Sequence, residues 1–275
     1  MSTPLDQTDL SDLRGAFEDS ALAERVREMA PEMFDAAGRY WSAPLAQDAL
    51  SPAVRELVLL AMHASAASIN DVAIRRHVRR ARAAGASEAE VLDTLVTIVG
   101  LANHALYSSM PVLEDELAAL GRGVDDQPLH PEYGRAKSRF ESARGFWTQD
   151  RDRLAHIVPE YMVALTELST ESWTNGPLSP KVRELICVAI DCTVNHTYES
   201  GLRMHIRNAL RHGATSAEIV QVFQLAGLMG LEGYLVGART LAGMVNIPSH
   251  GQSQAVVTRS PEAPSGRDDG GWVHE

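Results

Sequence analysis

The 275-residue sequence predicts an all-α protein, and three observations carry that expectation. Apolar residues make up 45% of the chain but aromatics only 5%. Alanine and leucine therefore supply the hydrophobicity, which suits helices better than sheets. No window alternates polar and apolar residues with the period of two expected of a half-buried strand. Finally, the stretch Leu50 to Glu90 returns without a gap 128 positions later, as Leu178 to Glu218. Ser-Pro, Val-Arg-Glu-Leu, Arg-x-His-x-Arg, Gly-Ala and the closing Ala-Glu coincide. One helical unit is built twice, and any site belongs in that unit.

Taken in order, residues 1 to 15 are polar and expected to be loose. Phe17 to Trp41 carries a helical pattern broken at Pro31, read as two short helices over the first repeat. Ser51-Pro52 starts a helix well, because serine caps free backbone N–H groups and proline suits the first turn. Val54 to Ala67 is apolar on nearly every side and should be central. A second helix over Val72 to Ala84 ends at Gly85, where a left-handed residue is needed. Ser87 to Glu90 is a capping box opening a third helix through Leu101. A fourth is expected from about Met110 to Leu120, after a turn at Asn103-His104.

Gly121 to Tyr133, rich in glycine, proline and acid, reads as a linker. Arg135 to Ser172 repeats the role of the N-terminal helices, with a break at Pro159. The second unit then has Ser179-Pro180, a buried helix to about Thr193, a polar stretch Asn195 to Ser200 and a helix from Gly201 to His212. Thr215 to Glu218 caps a helix to about Met229, and the last helix ends near Met244. The expected division is a first unit at 1–120, a linker at 121–134, a second unit at 135–247 and a disordered tail at 248–275. Trp272 in that tail has no evident role.

Net charge is −11, which argues against a nucleic-acid partner, since that needs a basic footprint. No apolar run in the sequence is read as approaching the roughly 18 residues of a membrane span. The N-terminus lacks a basic-then-apolar signal region. The expectation is a cytoplasmic protein. Cys187 and Cys192 lie five positions apart on one helix and face different ways, so no disulfide is expected between them.

The chemistry centres on Glu184 and His205. Glu184 stands among Leu185, Ile186, Val188 and Ala189, and His205 lies on the apolar stripe of the next helix; Glu56 and His77 repeat the pair in the first unit. A carboxylate in apolar surroundings has its pKa raised, and an imidazole beside it exchanges protons near neutrality. A structural ion pair is the competing reading, and it weighs more in the first unit. Only the second adds His196-Thr197-Tyr198-Glu199, offering imidazole, phenol and carboxylate where the first has Ser68-Ile69-Asn70-Asp71. His104 is a weaker candidate. Arg203, Arg207 and Arg211 step along one helix face; this is most simply a solvated face, but Arg203 could clamp a substrate carboxylate, with Glu199 beside it. Phosphate loops, nucleophile elbows and Cys/His metal spacings are absent, so no cofactor or metal is expected.

On Val182-Arg183-Glu184-Leu185, Leu202 to Leu210, Gly213-Ala214 and Glu218-Ile219, the sequence resembles the carboxymuconolactone decarboxylase family, which shares its fold with alkylhydroperoxidase D. The resemblance covers roughly 50–118 and 178–245. It implies compact helical units assembled in a ring, with a tandem chain closing as a homotrimer. Redox members carry Cys-x-x-Cys ahead of the histidine matching His205; Tyr198 and Gly201 stand there, and Asn70 and Ala73 in the first unit. Peroxide reduction through a disulfide is therefore not expected. The Glu-to-His segment is also about two residues longer than the family pattern, with His196 in the enlarged loop. The implied function is a cofactor-free decarboxylase or lyase acting on a small carboxylated lactone or enolisable substrate. Glu184 or His205 would move the proton, and His196 or Tyr198 would serve as oxyanion donor or acid. The alternative is a non-catalytic helical oligomer or ligand-binding protein. An activity indifferent to chelators and to thiol alkylation is expected.

Overall fold

The computed structural model describes residues 12–244, so the expectations for residues 1–11 and for the tail from 245 on lie outside the described residues. Among the described residues the chain is helical throughout, with no strand. The first unit comprises α1 (Leu13–Phe17), α2 (Ser20–Met29), α3 (Pro31–Leu45), α4 (Pro52–Ala64), α5 (Asp71–Ala83), α6 (Glu88–Val99) and α7 (His104–Ala119). The second comprises α8 (Tyr133–Arg144), α9 (Gln149–Ile157), α10 (Pro159–Asn175), α11 (Pro180–Cys192), α12 (Glu199–Arg211), α13 (Ser216–Gly227) and α14 (Glu232–Met244). Short 3₁₀ turns at Gly100–Asn103 and Leu228–Leu231 join α6 to α7 and α13 to α14.

The repeat is visible in its caps. Ser51 Oγ accepts from Val54 N at 3.3 Å, and Ser179 Oγ accepts from Val182 N at 3.3 Å. Ser87 and Glu90 form a reciprocal capping box before α6, as Thr215 and Glu218 do before α13. Gly85 and Gly213 close α5 and α12 at φ +97° and +84°, backbone angles that favour glycine.

The two all-round apolar helices meet in the centre. Leu57 to Met62 on α4 and Leu185 to Ile190 on α11 are essentially inaccessible, and α4 packs on both α5 and α11. One hydrophobic core thus runs through both units. A smaller one, around Tyr133, Leu154, Met162 and Leu165, lies under α8 to α10. Each unit also holds the other at, or just before, its central helix. Asp93 on α6 forms a bidentate pair with Arg183 on α11, both contacts at 2.5 Å, and accepts from Leu178 N at 3.0 Å. At the matching position on α13, Gln221 accepts from Leu50 N at 2.8 Å. Gly176 is needed here, because a Cβ would overlap both Arg183 and Asp93.

Two expectations about elements need correction. Leu13 and Phe17, each 1% exposed, sit on a short helix rather than in a loose leader, since Asp12 caps α1. The two helices expected over Phe17 to Trp41 are α2 and α3, with the break at Pro31: Asp19 caps α2, and α3 runs on to Leu45. The helix expected from Met110 begins at His104, because the 3₁₀ turn passes directly into it and Pro111 is tolerated inside. As a result Glu88–Ala119 and Ser216–Met244 are each long and apolar enough to cross a membrane by length and composition alone, contrary to expectation. Both supply core residues, among them Val91, Ile98 and Leu101 in one and Val222, Leu225 and Leu235 in the other.

Candidate active site in the second unit

Glu184 occupies the second turn of α11, whose packing on α4, α6, α12 and α13 leaves its carboxylate inaccessible. His205, on the inward face of α12, brings Nδ1 to 2.5 Å from Glu184 Oε2. Asn208 Nδ2 reaches Glu184 Oε1 at 3.4 Å. Burial opposes a charged imidazole, but the neighbouring Cys187 and the Glu184 carboxylate outweigh it and raise the His205 pKa to about 10.

The twin pair behaves differently. His77 Nδ1 stands 2.7 Å from Glu56 Oε2. Burial, reinforced by Arg76 and Arg80, holds the His77 pKa well below its ordinary value, and burial pushes Glu56 up to about 7. The physical reasons are sequence differences: Leu59 stands where the second unit has Cys187, and Arg76 and Arg80 where it has Met204 and Asn208. Two added positive charges disfavour a third.

Asp191 is a further site residue, not among those singled out from the sequence. It lies seven residues after Glu184 on the same helix and is wholly buried. Its Oδ1 is 3.2 Å from His104 Nδ1 and 3.4 Å from His196 Nε2, and its Oδ2 is 3.9 Å from His205 Nε2. His104 and His196 are themselves 2.8 Å apart, and the Tyr198 ring stacks on His104 at 4.0 Å between centroids. His104 comes from the first unit, at the start of α7, so the second unit's site is incomplete without the first. An acid on a helix apolar nearly all round was the available signal for Asp191.

His104, Tyr198 and His205 open onto a cavity of about 170 Å³, which Cys187 also lines. Its remaining wall brings in two arginines that the sequence reading passed over, Arg144 at the end of α8 and Arg151 in α9. Both are half-buried, and neither has an ion-pair partner among the described residues; Arg144 Nε and Arg151 Nη1 lack hydrogen-bond partners. They are held instead by rings: Arg144 over Trp173 at 4.8 Å and Arg151 over Phe140 at 4.3 Å. Desolvation lowers the pKa of both, yet a guanidinium stays charged. In the first unit the equivalent space, beside Phe17, Arg76, Glu232 and Leu235, shrinks to about 10 Å³. There the Arg76 guanidinium ion-pairs with Glu232 and lies 5.7 Å over Trp41.

Of the residues singled out from sequence, Glu184, His205 and Tyr198 converge on the cavity, with Glu184 behind His205. His196 stands behind His104 rather than on the wall. Arg203 and Glu199 do not reach it. They pair with each other at 2.6 Å on the outer face of α12, each 73% exposed, because the i,i+4 spacing satisfies both charges locally. The carboxylate clamp expected of Arg203 is therefore misplaced. Arg75 likewise pairs with Asp71 on the surface. Cys192 is inert, its thiol pushed up to about 12 by burial.

Comparison with known proteins bears on the family and the doubled all-helical fold. The model of the carboxymuconolactone decarboxylase family matches residues 31–114 and 159–236, one segment in each unit. No curated protein matches the chain. Among solved structures, the chain is similar to a protein from Burkholderia xenovorans LB400 provisionally described as a gamma-carboxymuconolactone decarboxylase subunit. The two share 29% identity with a TM-score of 0.76, over 85% of this chain and 94% of the other. By its two matched segments and its doubled all-helical architecture, the chain belongs to the carboxymuconolactone decarboxylase family.

Proposed function

We propose that the second unit is an acid–base decarboxylase or related lyase acting on a small carboxylated lactone or enolisable acid. The observation that carries this reading is the pairing, in one cavity, of a buried Glu-His dyad with two half-buried guanidinium groups that have no acidic partner among the described residues. An unpaired half-buried cation calls for an anion, and a planar guanidinium takes a carboxylate with two parallel hydrogen bonds. Arg144 and Arg151 hold the substrate's anionic groups, the part first assigned to Arg203. Loss of carbon dioxide leaves electrons in a conjugated carbonyl and requires a proton returned to carbon. His205, backed by Glu184, delivers that proton, and Tyr198 donates to the developing oxyanion. The proton transfer itself needs no organic cofactor. The relative's description as a decarboxylase subunit points the same way.

We further take the protein to be a cytoplasmic homotrimer. Supporting this, matching positions of the two units expose apolar side chains: Leu92 and Val220 on α6 and α13, Leu113 and Leu241 on α7 and α14. Such repeated apolar faces suit contacts between copies.

The test is release of carbon dioxide from a panel of small carboxylated lactones. Arg144→Gln and Arg151→Gln should each raise KM by about 10-fold or more, the scale of a lost charge-assisted bond. Turnover with unchanged KM in both variants would remove the clamp from the mechanism.

A further inference from the structure

Among the described residues, the Asp191 carboxylate has both oxygens buried without a hydrogen-bond partner. Three imidazole nitrogens stand 3.2 to 3.9 Å away. A buried carboxylate without compensation is costly. The imidazoles cannot all supply it by donating. His104 Nδ1 and His196 Nε2 face the same oxygen and are 2.8 Å from each other, so only one of them can carry a proton on that side.

We propose that His104, Asp191 and His196 bind a divalent transition-metal cation. The three donor atoms form a triangle with edges of 2.8, 3.2 and 3.4 Å. Such a triangle has its centre about 1.8 Å from each corner, so a cation about 2.0–2.1 Å from all three fits roughly 1 Å off their plane. Two imidazoles and one carboxylate suit Zn²⁺ or Fe²⁺ rather than Mg²⁺ or Ca²⁺. One divalent cation there satisfies the carboxylate and both nitrogen lone pairs together. Three protein donors leave coordination positions open for water or a substrate oxygen, and His104 lines the cavity.

Among the described residues, two other groupings have metal-like spacing, and each is already satisfied. In His63, His77 and Glu232, the carboxylate is taken by Arg76 and by Asn70 at 3.1 Å. In Glu184, Cys187 and His205, the carboxylate is bound by His205 and Asn208. The arginine in the first unit thus stands in for a cation where the second has Met204. A metal here runs against the sequence expectation that none is needed. That expectation rested on linear spacing, whereas His104 and His196 are separated by 92 positions.

The test uses the full-length protein freed of metal by dialysis against a chelator and titrated calorimetrically with Zn²⁺. Co²⁺ uptake is followed in parallel by visible absorption. The expected result is one Zn²⁺ per chain, a raised melting temperature and a d–d band with Co²⁺. Affinity should fall at least 100-fold in His104→Gln and in His196→Gln and stay unchanged in His63→Gln. Because Asp191→Asn could unfold the chain, the partly accessible His196 is the primary variant, with melting temperature and oligomer size recorded for each. Absence of Zn²⁺ binding by wild type would overturn the proposal, leaving a His-His-Asp hydrogen-bond relay. So would wild-type affinity in both His104→Gln and His196→Gln, or loss of the site in His63→Gln. Binding is read without turnover, so its failure and failure of the decarboxylase reading are separate results.

Discussion

His104 of the first unit stands 3.2 Å from Asp191 of the second, and the equivalent positions carry the two residue types exchanged, Glu232 and His63, at 3.6 Å. Each unit therefore completes the other's site, and the two sites have diverged by exchange of acid and base across the same gap. Around that exchange the second site keeps a cavity of about 170 Å³, while Arg76 and Trp41 close the first to about 10 Å³.

This asymmetry predicts unequal responses to equal substitutions. Glu184→Gln and His205→Asn should lower turnover roughly 10²-fold or more, the usual order for a general acid or base. Glu56→Gln and His77→Asn should largely keep turnover and change stability by about 1–2 kcal/mol. Rates, melting temperatures and oligomer sizes of the four variants would be compared. Equal losses in both halves would defeat the asymmetry, and full activity in Glu184→Gln with a depressed melting temperature would make the dyad structural.

Much of the fold was legible because the repeat is gapless: caps, glycine stops and the central helices recur at one offset. The Glu184–His205 pair was legible for the same reason, since an ionisable residue on an apolar face announces itself by contrast. What escaped notice depends on contacts between units. His104 sits at a helix start that looked like a turn, and its partner Asp191 is separated from it by the whole of the linker and α8 to α10. Arg144 and Arg151 lack a repeated counterpart altogether, because Ala16 occupies the position matching Arg144. Arg203 misled for the converse reason: a row of arginines at helical spacing is conspicuous in sequence, yet a carboxylate four residues away satisfies it on the surface.

The first unit should make the protein sensitive to acid through His63. Burial, with His77 and Arg76 nearby, lowers its pKa from 6.5 to about 2. Below pH 6.5 the unfolded chain takes up a proton that the folded chain refuses until about pH 2. The stability is thus present above pH 6.5 and is lost as pH falls through that window. His63→Gln should flatten the decline of unfolding free energy between pH 6.5 and 4.5, measured by urea titration at each pH. An unchanged slope would place the acid sensitivity elsewhere.

Arg183 and Asp93 should be the strongest polar tie between the units. Both are inaccessible, their two contacts are parallel, and Asp93 also holds the backbone at Leu178. Removing one partner strands the other's charge, so Arg183→Met should cost about 3–5 kcal/mol. The double variant Arg183→Met with Asp93→Leu should recover a large part of that loss. Urea denaturation of the set checks this, and a single variant within 1 kcal/mol of wild type would contradict the assignment.

The last prediction concerns Gly201, at the start of α12. A Cβ there would overlap the Asp191 carboxylate and the Tyr198 ring, so α12 can approach α11 this closely only with glycine. The first unit has Ala73 at the matching position, fully buried, because His63 and Asn70 replace Asp191 and Tyr198 there. Gly201→Ala improves helix propensity by about 1 kcal/mol while displacing two groups at the cavity floor. Displacements of about 1 Å in a catalytic constellation cost up to 10²-fold, so kcat/KM should fall at least 10-fold. Helix content by circular dichroism should be unchanged. Ala73→Gly, the reciprocal change, should cost about 1 kcal/mol in stability and leave kcat/KM alone. If Gly201→Ala keeps wild-type kcat/KM, then Asp191 and Tyr198 tolerate displacement and the close approach of α12 to α11 serves packing rather than the reaction.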